Sequence, residues 1–180
     1  MKAFISGGCK NGKSSWAENL AQRLAGDSPL YYIATMIPCD AEDHQRIEKH
    51  RLSRAGKGFC TLEQPTRIHQ VLDYSDYARG TYLLDSVTAL MLNEMYPRNA
   101  SLPDVQAPHR VCHDLSFLLA QAKNVVLVSD YIYSDTGHYP KYTQDYCKAL
   151  AQVDRHLARI CDTVVEMSAH QPIYYKGGNL

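Results

Sequence analysis

Short apolar runs alternate along this chain with longer segments in which apolar residues recur every three or four positions. Runs such as Ala3-Phe4-Ile5, Tyr82-Leu83-Leu84 and Val125-Val126-Leu127-Val128 read as strands, placed at residues 3–6, 30–34, 58–62, 81–84, 124–129 and 163–167. Helices are expected at residues 13–25, 41–54, 86–95, 106–122 and 141–160. Strands alternating with helices point to a parallel sheet joined by crossover helices. A last short run, residues 172–176, closes an edge before Gly177-Gly178, and residues 96–107, with Pro97 and Pro103, form a surface excursion. The expectation is an α/β fold: one domain over residues 1–180, a mostly parallel sheet flanked by helices, with a short C-terminal edge strand.

The junction of the first strand and first helix carries the chemistry. Between them stands Gly7-Gly8-Cys9-Lys10-Asn11-Gly12-Lys13-Ser14, the G-x-x-x-x-G-K-S spacing of a phosphate-binding (P-) loop. Gly7 and Gly12 permit the backbone angles that turn successive amides inward on a phosphate. Lys13 brings a point charge to the β and γ phosphates, Ser14 offers a hydroxyl to Mg²⁺, and the helix N-terminus adds its dipole. The ligand so indicated is a nucleoside triphosphate.

Charge narrows the partners. Nineteen basic residues balance nineteen acidic ones, with pI near 7.1, so no global field argues for nucleic acid or an anionic membrane. Cys9, Cys39, Cys60, Cys112, Cys147 and Cys161 are scattered without a C-x-x-C pair, which reads as a reduced, cytoplasmic protein. No apolar stretch approaches the ~18 residues of a membrane span, and the chain enters a strand at once rather than a signal peptide.

Two further stretches bear on the triphosphate. Tyr82-Leu83-Leu84-Asp85 is an apolar run ending in a carboxylate that can reach a Mg²⁺ shell, or cap the following helix. On a helix, Arg46, His50 and Arg54 recur every four residues and share a face. Cations around an imidazole disfavour a further charge on it, and the neutral ring is the nucleophilic form. The same cations can hold a triphosphate and its departing pyrophosphate; a solvated basic face is the plainer alternative. His109 and His113, four apart, read as surface residues, and Asp40, Glu42 and Asp43 as a helix cap.

Taken in order, the phosphate loop, Tyr32-Ile33-Ala34-Thr35, Arg46-Ile47-x-x-His50-Arg51-x-x-Arg54, Thr61-Leu62-Glu63 and Leu83-Leu84-Asp85-Ser86-Val87-Thr88 resemble the adenosylcobinamide kinase / adenosylcobinamide-phosphate guanylyltransferase family of cobalamin biosynthesis. The resemblance is dense in the first half and thin in the second. It implies a RecA-like P-loop sheet and a homo-oligomer, often a trimer. It also implies two activities: phosphorylation of adenosylcobinamide, then transfer of GMP from GTP through a histidine-bound intermediate. His50 matches the family's nucleophile and Lys13 the catalytic lysine of the loop. Ala34, Thr35, Met36, Arg51, Leu52, Ser53, Arg54, Glu63 and Asp85 match its nucleotide site, with Ser14 and Asp85 near Mg²⁺ and ATP or GTP as substrate.

The second half departs from the family. Asn-Glu-Val-Gly after the fifth strand is replaced by Asp130-Tyr131-Ile132-Tyr133, and later pairs by Tyr146-Cys147-Lys148 and Asp154-Arg155. The segment from Tyr131 to Tyr142 also holds Tyr133, Tyr139 and His138; such tyrosines can stack on a planar ligand, but an interface or loop packing is the favoured reading. A P-loop small-molecule kinase, or a nucleotide-sensing binding protein without guanylyl transfer, stays open beside the two-step transferase.

Overall fold

The computed structural model describes residues 1–133, 137 and 139–178; Asp135, Thr136 and His138 lie outside them, as does the side chain of Arg46. Among the described residues the strands are β1 (Lys2–Gly7), β2 (Leu30–Ala34), β3 (Cys60–Glu63), β4 (Thr81–Asp85), β5 (Asn124–Val128), β6 (Thr163–Ser168) and β7 (Gln171–Lys176). The helices are α1 (Lys13–Ala25), α2 (Ala41–Arg54), α3 (Val87–Met95), α4 (Ala107–Gln121) and α5 (Lys141–Ile160). One sheet runs in the order β3-β2-β4-β5-β1-β6-β7, parallel except for β7, which returns antiparallel beside β6.

The strands are apolar throughout because both faces of the sheet are covered. Phe4, Ile33, Tyr82, Leu84, Val125 and Leu127 face α3, α4 and α5. Ala3, Ile5, Tyr32, Leu83, Val126 and Val128 face Ala17, Leu20 and Ala21 of α1. Alternation along each strand sorts these residues to the two layers.

Local chemistry sets the ends. Asp40 caps α2, accepting from the amide of Asp43 at 2.8 Å, and α1 stops at Gly26, whose φ of 53° a side chain rarely adopts. β3 starts at Cys60, not at residue 58, because Gly58 has φ 80° and cannot extend the strand. A short 3-10 helix, Ile68–Tyr74, fills what the hydrophobic pattern left as a connection, burying Ile68, Val71 and Leu72; seven residues are too few for a periodic signal.

The outlier is α2. It lies in neither core layer, and Leu52 on it is 65% exposed. Its C-terminal end is the anchored part. The guanidinium of Arg54 stacks 3.4 Å over the Tyr32 ring, and just beyond it Lys57 pairs with the buried Glu18 of α1 at 2.6 Å.

Candidate functional site

Parallel strands deliver their C-terminal ends to one edge, and the register aligns those ends in a row. Glu63 lies opposite Ala34, Ala34 opposite Asp85, Asp85 opposite Val128, and Val128 opposite Ile5. The phosphate loop, residues 34–36, Glu63 and Asp85 thus leave the sheet on the same side, in the crevice where open α/β sheets bind ligands.

In the loop itself, Gly7, Lys10 and Gly12 have positive φ (153°, 59° and 82°). Gly12 precedes α1 in a left-handed conformation, so the first amides of the helix open toward the loop. Both motif glycines are also needed for room. A Cβ at position 7 would lie 2.5 Å from the Met167 carbonyl oxygen, and one at position 12 would lie 2.8 Å from Cδ2 of His170. Lys13 is buried; its Nζ donates to the Gly8 carbonyl at 2.7 Å and pairs with Asp130 at 3.0 Å.

Asp85 ends β4 as expected, but the helix cap is its neighbour. The Ser86 hydroxyl accepts from the Ala89 amide at 3.2 Å, which leaves the Asp85 carboxylate to receive the Tyr32 hydroxyl at 3.3 Å. Burial first, then the Asp85 charge, pushes the Tyr32 phenol far above its ordinary value, so it acts as a donor. Thr35 is fully buried. Its hydroxyl donates to the Ser86 carbonyl at 2.8 Å and receives the Ser86 amide at 2.9 Å, so it ties β2 to β4. Ser14 and Asp85 are an oxygen-only pair of a hydroxyl and a carboxylate, the donor chemistry Mg²⁺ prefers.

On α2 the basic face divides. His50 is half-buried, and its ring makes no hydrogen bond or ion pair among the described residues. Arg51 is exposed, 3.9 Å from Glu48. Arg54 turns inward on Tyr32, and its Nη1 is buried with no partner. Arg51 and Arg54 border a pocket of about 260 Å³ together with Phe59 and Thr61. Tyr32, edge-on to Phe59 at 6.2 Å, joins that pocket to Asp85. His109 and His113 are exposed on α4, the latter with its ring on Asp114.

Three polar residues here were not among the site residues expected from the sequence, although Asp130 and Asp154 were noted as departures from the family pattern. Asp85 is the last residue of β4, and Asp130 stands two residues beyond β5, after Ser129; a carboxylate closing each apolar run was the available signal. The Asp130 amide donates to the Thr88 hydroxyl oxygen at 2.7 Å, which fixes the carboxylate beside Lys13. Asp154 of α5 accepts from the Ser129 hydroxyl at 3.0 Å and the Tyr133 hydroxyl at 3.1 Å, while its Oδ1 is buried without a partner. Burial raises the Asp154 carboxyl to about 7, against the two hydrogen bonds, with a smaller push from the Asp130 charge. The tyrosine-rich segment therefore packs at least in part on the site: Tyr133 reaches Asp154, and the Tyr131 amide donates to the Gly7 carbonyl at 2.9 Å. The third is His170, for which the sequence holds no local signal.

The model of the family described as cobinamide kinase / cobinamide phosphate guanyltransferase matches residues 3–174. The bifunctional adenosylcobalamin biosynthesis protein CobP of Pseudomonas aeruginosa is 37% identical over 95 residues, 52% of this chain and 52% of that protein. The match thus spans about half the length of that relative. Among solved structures, the flagellar accessory protein FlaH of Methanocaldococcus jannaschii is similar at a TM-score of 0.52 and 14% identity, over 97% of this chain and 77% of that one. A KaiC-like protein of Pyrococcus horikoshii aligns at 0.51 and 12%, over 92% and 71%. At such identities the likeness concerns the fold: a P-loop sheet flanked by helices.

Proposed function

The chain belongs to the cobinamide kinase / cobinamide phosphate guanyltransferase family, and on that premise we propose that it is a transferase acting twice on a corrinoid. In the first reaction the terminal phosphoryl group of ATP or GTP passes to the aminopropanol hydroxyl of adenosylcobinamide. In the second, an imidazole nitrogen of His50 attacks the α-phosphorus of GTP, the bond to the β-phosphate oxygen breaks, and pyrophosphate leaves. A phosphate oxygen of adenosylcobinamide phosphate then attacks the held GMP, freeing the imidazole and forming adenosylcobinamide-GDP.

The observation that carries this reading is Arg54. A buried guanidinium with an unpaired Nη1 calls for an anion, and it borders a pocket with Arg51 at the end of the helix that bears His50. Lys13 and the loop amides, from Gly7 to Ser14, hold the phosphates in both reactions. Ala34, Thr35, Met36, Leu52, Ser53 and Glu63 shape the rest of the nucleotide site. Ser14 and Asp85 would hold Mg²⁺, which neutralises charge on the phosphate oxygens. The exposed Leu102 and Val105 suit a homo-oligomer, a trimer on the family pattern, and the proposed compartment is the cytoplasm.

The test is covalent capture with GTP labelled at the α position. The expected product is an acid-labile, base-stable adduct on the wild-type protein and none on His50→Ala. Label retained by that variant would remove His50 from the mechanism.

A further inference from the structure

We propose that His170 is part of the nucleotide site, its imidazole donating to the triphosphate where the chain passes Gly12. This rests on the reading of the phosphate loop as a triphosphate cradle, and not on either group transfer.

The argument begins with the hairpin of β6 and β7. Ser168 pairs with Gln171, so only Ala169 and His170 make the turn. Both have positive φ, 47° and 64°, as in the mirror-image turns that close two-residue hairpins. Such turns favour glycine, asparagine or aspartate, because other side chains are strained there. This turn has an alanine and a histidine instead, so a bulky ring is kept at a position that disfavours it.

The hairpin is held at three points against the loop. Gly7 lies opposite Met167 in the sheet register and is too close to it for any side chain. One turn into α1, Trp16 meets Tyr174 of β7 edge-on at 6.5 Å. Between these points the His170 ring covers Gly12, with Cδ2, Cγ and Nε2 at 2.8, 3.4 and 3.5 Å from where a Cβ would stand. Gly12 is the residue before Lys13, where a phosphate loop brings its amides to the β-phosphate. The ring is exposed and makes no hydrogen bond or ion pair among the described residues, so its N–H is free to meet a ligand.

The alternative is that His170 merely fills the turn, and glycine separates the two. His170→Gly relieves the positive φ and should melt no lower than wild type. Calorimetry with Mg-GTP and with inorganic tripolyphosphate then reads the contact. One hydrogen bond to a charged phosphate predicts about tenfold weaker binding of both ligands. His170→Asn, which tolerates the turn and keeps a donor, should recover part of the loss. Unchanged affinity in His170→Gly overturns the inference, and so does a loss confined to GTP. Should wild type bind neither ligand, the triphosphate reading of the loop falls and takes this with it. Binding without group transfer would refute only the proposed reactions.

Discussion

The ammonium of Lys13 stands 3.0 Å from the carboxylate of Asp130, although 117 positions separate them along the chain. The sheet order accounts for the encounter: β5 lies directly beside β1, so their C-terminal ends emerge together. Asp130 neutralises the buried lysine; on the proposed function, the phosphates of a bound nucleotide would compete for it. Asp130→Asn should therefore destabilise the free protein by about 1–2 kcal/mol, less than for a fully buried pair because Asp130 is partly exposed. The rise in melting temperature on adding Mg-GTP should be larger than in wild type, since no carboxylate has to be displaced. Thermal scans with and without the ligand measure both.

Lys13→Ala should abolish triphosphate binding and both transfers, whereas His50→Ala should lose guanylyl transfer and keep phosphorylation. Assays of cobinamide phosphorylation and of GMP transfer separate the two. An equal loss of kinase activity in both variants contradicts the division of labour.

Asp154 makes stability depend on pH. Its folded value, about 7, lies above the ordinary carboxyl value of 3.8, so between those limits the folded state holds a proton that the unfolded state has lost. The contribution of Asp154 is therefore full at low pH, falls as pH rises through about 7, and then levels off. Asp154→Asn mimics the protonated form and should remove this slope, gaining on wild type by on the order of 2–4 kcal/mol at pH 8 relative to pH 4. Urea midpoints of both proteins across that range are the measurement.

Arg54→Lys keeps the charge but loses the flat stacking of the guanidinium on the Tyr32 ring. The expected result is about 1 kcal/mol less stability and at least tenfold weaker capture of GMP on the protein, because the ammonium cannot reproduce the guanidinium fork. Tyr32→Phe should spare the stack and lose only the bond to Asp85. Melting curves and labelled-GTP uptake decide between them.

Much of this was legible because local rules and tertiary demands agree. The continuous apolar runs gave the strands, and α1, α2 and α5 have the bounds expected of them, with Gly26, Asp40 and Pro140 marking three of their ends. The loop from Gly7 to Ser14 was legible because its function imposes a spacing. Asp85 was read from an apolar run ending in a carboxylate, and Asp130 has a similar signature one strand over, displaced one residue by Ser129. What tells the two apart is strand order, which no local pattern states. The inward turn of Arg54 depends on which face of α2 meets Tyr32. His170 was invisible for a similar reason: its neighbour at Gly12 lies 158 positions earlier in the chain.

β1, the strand that leads into the loop, is bordered by β5 and β6, which come more than a hundred residues later. No early fragment of this chain can therefore possess a finished cradle. Ligand affinity should arrive in one step, after the most distant pairings have formed, which makes nucleotide capture a sensor of completed folding.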